Sequence, residues 1–253
     1  RRHGGTVSRG RVQVVVPCYN EATRFAPAAL SRALSADDEL CFVLVDDGST
    51  DDTAAVLHAT AKRHPGRVDV LELSSNVGKA EAVRQGLLLA FARGAELAGY
   101  WDADLATPLD AIADFVAVLD SRPEVEIALG ARVAMLGHAI ERRATRHYAG
   151  RVFATFASVT LGLPVYDTQC GAKLFRCSNP VRELFAEPFG SRWVFDVEII
   201  ARYLANGGQA EGIRELALSR WTDVEGSKVR PRDFASGLAE LVRIRRKYGS
   251  RRR

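Results

Sequence analysis

A chain of 253 residues, 47% hydrophobic and 26% charged, is sized and composed for one large globular α/β domain, which excludes wholesale disorder. Its net charge of +4 is uneven: residues 1–11 hold four Arg and no acid, residues 228–253 hold ten Lys or Arg against two acids, and residues 12–227 are therefore net acidic. A nucleic-acid-binding domain needs a basic face on the folded body, so no nucleic-acid partner is expected. No apolar run is long enough to span a bilayer, and the basic start has no apolar stretch behind it, so neither a membrane-spanning helix nor a secretory signal is expected. Cys18, Cys41, Cys170 and Cys177 form no C-x-x-C pair. Free thiols, no zinc site and a cytoplasmic setting follow from that spacing.

In chain order, the β-branched run Val12-Gln13-Val14-Val15-Val16 reads as a buried strand that stops at Pro17. Residues 40–45 form a second strand, running into Asp46-Asp47-Gly48-Ser49. Asp51 or Asp52 is placed to cap a helix over residues 53–63, which His64-Pro65-Gly66 stops. A third strand at 68–73, a helix from Lys79 to about Leu97 and a short fourth strand at 99–101 follow. Strands and helices alternating at this interval predict a Rossmann-like, mostly parallel sheet flanked by helices, in one domain. Further on, the pattern predicts helices at 108–119, 142–161 and 195–206, and strands at 127–130, 170–175 and 215–218.

In such a sheet ligands bind at the carboxyl ends of the strands. Those ends carry Pro17-Cys18-Tyr19-Asn20-Glu21, Asp46-Asp47-Gly48 and Asp102-Ala103-Asp104, all polar. Asp102 and Asp104 alternate on an extended backbone, so both carboxylates can face one ligand. Two hard oxygen donors suit Mg²⁺ or Mn²⁺ bridged by a diphosphate; a solvated turn is the plainer reading of a D-x-D taken alone. No G-x-G-x-x-G follows the first strand and no phosphate-binding G-x-x-x-x-G-K-[ST] occurs, which argues against dinucleotide oxidoreductases and P-loop NTPases.

Val15-Val16-Pro17-Cys18-Tyr19-Asn20-Glu21, Val45-Asp46-Asp47-Gly48-Ser49-Thr50-Asp51, Asn76-Val77-Gly78-Lys79-Ala80 and Asp102-Ala103-Asp104 resemble, in order and spacing, the nucleotide-sugar-binding half of inverting family 2 glycosyltransferases, which have the GT-A fold. Residues 166–175 with Trp193-Val194-Phe195-Asp196-Val197-Glu198 are similar to the dolichyl-phosphate β-glucosyltransferase and polyprenyl-phosphate glycosyltransferase branch, although Asp102-Ala103-Asp104-Leu105 lacks a Gly common there. The resemblance implies transfer of a sugar, usually glucose from UDP-glucose, onto a polyprenyl or dolichyl monophosphate, with inversion. It also implies a nucleotide-sugar-binding half at 12–106 and an acceptor half at 107–227, flanked by basic segments at 1–11 and 228–253.

Roles then follow for individual residues. Asp102 and Asp104 would hold the metal, and Pro17, Tyr19, Glu21, Asp47 and Lys79 would complete the nucleotide-sugar site. Asp167 is the first candidate for the carboxylate nearest the reaction, with Asp196 and Glu198 behind it. Arg132, Arg142, Arg143, Lys173 and Arg176 are candidates to grip an acceptor phosphate, for which the planar guanidinium fork is suited. From Pro231, Phe234, Leu238, Leu241 and Val242 recur at helical spacing before a run of Arg and Lys. Such a helix can lie in the headgroups of an anionic membrane, placing the protein at the cytoplasmic membrane face, or can pack on its own domain. Two other readings stand beside transfer to a lipid phosphate: a soluble glycosyltransferase with a small acceptor, and a non-catalytic nucleotide-sugar-binding module.

Overall fold

The β-branched run at the start of the chain is buried along its length. The computed structural model describes residues 11–141, 144–223 and 231–249, and in it β1 (Val12–Cys18) lies inside a seven-stranded sheet. With β2 (Leu40–Asp46), β3 (Val68–Glu72), β4 (Leu97–Trp101), β5 (Ile127–Ala131), β7 (Ala172–Arg176) and β8 (Ile213–Ala217), the sheet order is β3-β2-β1-β4-β7-β5-β8. A separate two-stranded parallel pair joins β6 (Ala139–Glu141) to β9 (Arg220–Thr222).

The central strands β1, β2, β4 and β5 are buried on both faces because both faces are covered, whereas the edge strands β3 and β8 are partly exposed. β1 sends Val15 to one side and Val12, Val14 and Val16 to the other; β2 divides Val43 and Val45 from Leu40, Phe42 and Leu44 in the same way. On the first side pack α3 (Lys79–Ala92), α5 (Ala144–Leu161), α6 (Asn179–Glu183), α7 (Phe195–Ala205) and α8 (Pro231–Tyr248). On the second lie α1 (Pro27–Ala36), α2 (Thr53–Arg63) and α4 (Ile112–Ser121). Each fully buried Val, Leu or Phe of these two cores contributes about 1.5–3 kcal/mol of transfer free energy. The Rossmann-like, mostly parallel sheet in a single domain is therefore what the alternating pattern indicates.

Several local readings are corrected. Strand β1 runs through Pro17 to Cys18, because its pairing with β4 ends at Val15 and beyond that point only β2 flanks it. Helix α3 stops at Ala92 rather than near Leu97. Gly94, at φ +80°, reverses the chain there, and Leu97 opens β4 instead. Asp52 takes the N-cap position of α2 without a side-chain cap bond, and it is Asp51 before it whose Oδ1 accepts from the Thr53 amide at 3.0 Å. Strand β7 is antiparallel to both β4 and β5, so Ala172 at its start lies opposite Trp101 at the end of β4.

Helix α8 packs against α5 and α7, with Leu238, Leu241, Ile244 and Tyr248 turned to the core. Val242 is left 52% exposed. The inward face is thus set one step along from the Leu241/Val242 stripe read in the sequence; the side chain of Phe234 lies outside the described residues. No helix among the described residues is long and apolar enough to cross a membrane.

Candidate active site

The carboxyl ends of β1, β2, β4 and β5 and the start of β7 open into one cavity of about 600 Å³. Its floor is set by turn chemistry. Behind β2, Gly48 (φ +65°) lets the chain turn beneath the loop that opens α3. Asp47, 3% exposed, holds that loop: its Oδ1 accepts from the Val77 amide at 2.8 Å and its Oδ2 from the Gly78 amide at 2.9 Å. Burial pushes the Asp47 carboxyl up, against the pull of those two amides. Behind β1, Asn20 takes the left-handed conformation (φ +53°), its side chain accepting from the Thr50 amide at 2.9 Å. Pro17 and Tyr19 line the same wall, and Glu21 beside them accepts through both carboxylate oxygens from Nε and Nη2 of Arg24.

Behind β4 stand Asp102 and Asp104. Lys79, the first residue of α3, places its Nζ 2.6 Å from Asp102 Oδ1. Burial works against the Lys79 ammonium, but the carboxylates of Asp102, Asp196 and Asp104 outweigh it and hold its pKa above the ordinary value. Asp104 is exposed, and its Oδ1 accepts from the Ala106 amide at 3.1 Å. Desolvation, then the charge of Asp102, raises its pKa. Leu105 follows at φ +51°, a region that glycine enters freely and a branched side chain does not. The absence of a Gly noted in this motif therefore appears as local backbone strain. Across the turn, a Cβ on Gly171 would lie 1.9 Å from Asp102 Oδ2, so only glycine lets β7 begin against that carboxylate.

The opposite wall is cationic and aromatic. Arg132, just past β5, forms a fork with Asp167, Nε to Oδ2 at 2.6 Å and Nη2 to Oδ1 at 2.8 Å. Its guanidinium lies 5.3 Å from the Trp221 ring centre. Glu215 of β8 fixes the segment from behind, accepting from the Tyr166 and Asp167 amides at 2.9 and 2.8 Å. Asp196, at the start of α7, accepts from the Tyr100 hydroxyl and lies 2.6 Å from Lys173 Nζ.

The structure thus brings Pro17, Tyr19, Glu21, Asp47, Lys79, Asp102, Asp104, Arg132, Asp167 and Asp196 to one cavity. Three other candidates are not part of its wall. Glu198 is 1% exposed and faces inward from α7, where it accepts from the Ser191 amide (2.9 Å), Arg202 Nη2 (2.9 Å) and the Tyr248 hydroxyl (2.9 Å). Lys173 is fully buried, its ammonium committed to Asp196 and to the Cys170 carbonyl at 2.6 Å. Arg176 pairs with Leu97 at the far end of β4, because β7 runs antiparallel, and its Nε donates to the Val125 carbonyl at 3.3 Å. Arg142 and Arg143 lie outside the described residues.

Three arginines of the cavity were not singled out in the sequence, and Arg24, on Glu21, is one of them. Arg151 on α5 stacks 4.0 Å from the Tyr166 ring centre and donates to the Tyr166 carbonyl at 3.1 Å. Arg192 stands at the mouth, where a Cβ on Gly78 would lie 3.4 Å from its Nη2, and its charge acts on Asp47. Arg192 directly precedes the Trp193-to-Glu198 motif and was legible beside it; no local signal marks Arg151, which reaches the site through the packing of α5.

Residues 13–179 match the protein family described as Glycosyl transferase family 2. The dolichyl-phosphate beta-glucosyltransferase of Drosophila melanogaster is 35% identical over 238 residues, 87% of this chain and 69% of its own. Its namesake in Dictyostelium discoideum is 32% identical, covering 94% of this chain and 74% of its own. Among solved structures, glucosyl-3-phosphoglycerate synthase from Mycobacterium tuberculosis in complex with Mn²⁺, UDP-glucose and phosphoglyceric acid is similar with a TM-score of 0.66 at 16% identity, covering 94% of this chain and 79% of that one. That likeness is one of fold, and the fold is GT-A. The chain belongs to glycosyltransferase family 2.

Proposed function

We propose that this glycosyltransferase moves glucose from UDP-glucose onto a polyprenyl monophosphate, inverting the anomeric carbon. One observation supports the reading above the others: a single cavity sets paired carboxylates with a lysine on one wall and an Arg132–Asp167 fork with Arg151 on the other. The first wall suits a metal-bridged diphosphate, and the second suits an anionic acceptor. The Drosophila and Dictyostelium relatives carry a dolichyl-phosphate glucosyltransferase name, which supports the same pair of substrates.

Asp102 and Asp104 fit a divalent cation. They are hard oxygen donors side by side, and positive charge between them would offset both the desolvation and, second to it, the Asp102 charge that raise the Asp104 pKa. Among the described residues no cluster of three or more His, Cys, Asp or Glu could hold a metal, so the remaining ligands would be oxygens of the donor's diphosphate. Bound there, Mg²⁺ or Mn²⁺ supplies charge neutralisation to the departing UDP; Mn²⁺ accompanies UDP-glucose in the Mycobacterium neighbour.

The chain's own groups do the rest. Pro17, Tyr19 and the Asp47-braced loop frame the nucleoside, and Lys79 offers a fixed positive charge beside the diphosphate. Arg132 spends its Nε and Nη2 on Asp167, which leaves Nη1 as the edge to turn toward an acceptor phosphate, beside Arg151. Asp167 and Asp196 are each held by a cation and act as positioning residues rather than free bases. That suits a phosphate monoester, which is already ionised near neutral pH. One of its oxygens attacks the anomeric carbon as the bond to UDP breaks, and no proton has to be removed first.

The test is a donor-by-acceptor screen reading nucleotide release, with UDP-glucose, UDP-GlcNAc and GDP-mannose against a short-chain prenyl phosphate and small hydroxyl acceptors. UDP-glucose with the prenyl phosphate should be the productive pair. Preference for GDP-mannose, or turnover only with hydroxyl acceptors, overturns the reading.

A further inference from the structure

Helix α5 is apolar on its outside as well as its inside. Phe153, Ala157 and Leu161 pack into the core, while Val152, Phe156 and Val159 stand 49%, 49% and 58% exposed at i, i+4 and i+7. From Val152 to Tyr166 the sequence carries no charged residue. A helix face turned to water ordinarily carries charge, and this one has none for three turns.

Its neighbour supplies charge of one sign. α8 packs beside α5, and Arg245 of α8 donates to the Val159 carbonyl at 2.9 Å, so the two exposed faces are continuous. Along α8, Val242 is 52% exposed, and Arg243, Arg245, Arg246 and Lys247 are exposed with it. Residues 241–249 contain no acid. The result is a bare apolar stripe edged by four cations. The middle of α5 also carries Arg151 and Phe153 on the cavity wall, beside Val152, so this face adjoins the acceptor side of the site.

We propose that the joined α5–α8 face seats the protein on the surface of an anionic bilayer, with Phe156 and the valines in the headgroup–acyl boundary and the α8 cations on lipid phosphates. The charge pattern selects this occupant. A symmetric dimer through the same patch would bring two copies of the cation cluster to one interface, an arrangement that costs energy where anionic lipid gains it. The inference deepens the acceptor reading, since a polyprenyl phosphate resides in such a surface, but its test does not depend on that acceptor.

The experiment is flotation of the whole chain with phosphatidylcholine vesicles, with and without phosphatidylglycerol, at low and high salt. Binding should require phosphatidylglycerol and weaken in salt. Phe156→Ser with Val159→Ser, and separately Arg243→Gln with Arg246→Gln, should each lower the partition coefficient by roughly tenfold or more. Melting curves verify that both variants fold, and both should keep wild-type nucleotide release with a water-soluble short-chain prenyl phosphate. Wild-type binding by both folded variants, or no binding of the wild type to anionic vesicles, overturns the proposal. So does a dimer in analytical ultracentrifugation that Phe156→Ser with Val159→Ser splits. Vesicle binding without turnover of any prenyl phosphate would sustain this surface while overturning the acceptor reading.

Discussion

Lys79 Nζ lies 2.6 Å from Asp102 Oδ1, joining the first residue of α3 to the carboxylate at the end of β4. The pair ties the two loops that would flank the donor diphosphate, and the nearby carboxylates keep the ammonium charged throughout the neutral range. Lys79→Met should therefore weaken the donor more than the acceptor. We expect kcat/KM for UDP-glucose to fall by about 10²–10³-fold, the range for loss of one preorganised charge at a reacting group. KM for the acceptor should stay close to wild type. Steady-state kinetics with each substrate varied decides it; a rise confined to the acceptor KM would place Lys79 on the other side of the reaction.

Asp104 gives a prediction in which activity and stability move in opposite directions. Its folded pKa is raised, by desolvation from the surrounding cavity wall first and by the charge of Asp102 second, although part of the side chain meets solvent. A group raised in this way contributes most to stability at low pH, where it is protonated in both states, and that contribution is lost as pH rises through the folded value. At neutral pH the ionised Asp104 therefore opposes folding of the metal-free protein. Asp104→Asn should raise the apo Tm at pH 7, with the difference closing in acid, while turnover is abolished. Excess EDTA should silence the wild type in the same way. A variant that melts lower at pH 7, or that retains turnover, contradicts the assignment.

The backbone of Gly171 packs directly against Asp102, one of the two proposed metal-binding carboxylates. A methyl group there would sit 1.9 Å from Asp102 Oδ2 and 2.1 Å from Cγ, so Gly171→Ala must move the carboxylate or the start of β7. We expect loss of at least about 10²-fold in kcat, since a small misplacement at the reacting centre is enough for that. The change in melting temperature should be modest, because Asp102 has cavity to move into. Unaltered kcat would mean that Asp102 does not need its present position.

What could be read in the sequence and what could not divide along one physical line. The proposed donor side is written in short local segments: Pro17 to Glu21, Asp46 to Ser49, Gly78-Lys79 and Asp102 to Asp104 each sit on one strand end or helix start, and period-two and period-3.6 patterns place those ends on one edge of the sheet. The proposed acceptor side is assembled by tertiary packing. Arg151 arrives there through α5 and Tyr166, and Lys173 is drawn inside because its register opposite Tyr100 turns that side chain to the face where Asp196 lies. Arg176 lies away from the cavity because β7 runs antiparallel, and strand direction decides which end of β7 meets the cavity. Glu198 shared a motif with Asp196, yet two residues further along α7 the helix has turned its side chain away from the cavity.

The reassignment of Glu198 is testable. It accepts from two backbone amides, Arg202 and the Tyr248 hydroxyl, and so links α7 to α8 and to the Gly190–Ser191 turn. Removing one partner of a buried ion pair leaves the other charge uncompensated, which costs about 3–5 kcal/mol. Glu198→Ala should lose stability on that scale in urea titration. Its kcat, measured well below the transition, should stay within a few-fold of wild type. Full stability with lost turnover would return Glu198 to the chemistry.

Asp167 calls for a finer distinction, because it lies in the cavity but holds Arg132 through both oxygens. Were it a base, its loss would lower kcat at every acceptor concentration and remove its own ionisation from the pH profile. As a positioning residue it acts through the Arg132 fork, which Asn can satisfy only in part, since the amide of Asn offers one acceptor oxygen and presents donors on the other side. Asp167→Asn should therefore raise the acceptor KM by about 10–100-fold, in line with roughly 1.5–3 kcal/mol for a hydrogen bond involving a charged group. It should leave the KM for UDP-glucose and the shape of the pH profile unchanged. Arg132→Lys should produce the same acceptor defect, because an ammonium cannot form the fork and reach a phosphate together. The double variant should then be little worse than either single one, as expected for two residues acting as one unit. Additive losses, or a kcat defect in Asp167→Asn with normal acceptor KM, would instead identify Asp167 as a group that meets the reacting atoms directly.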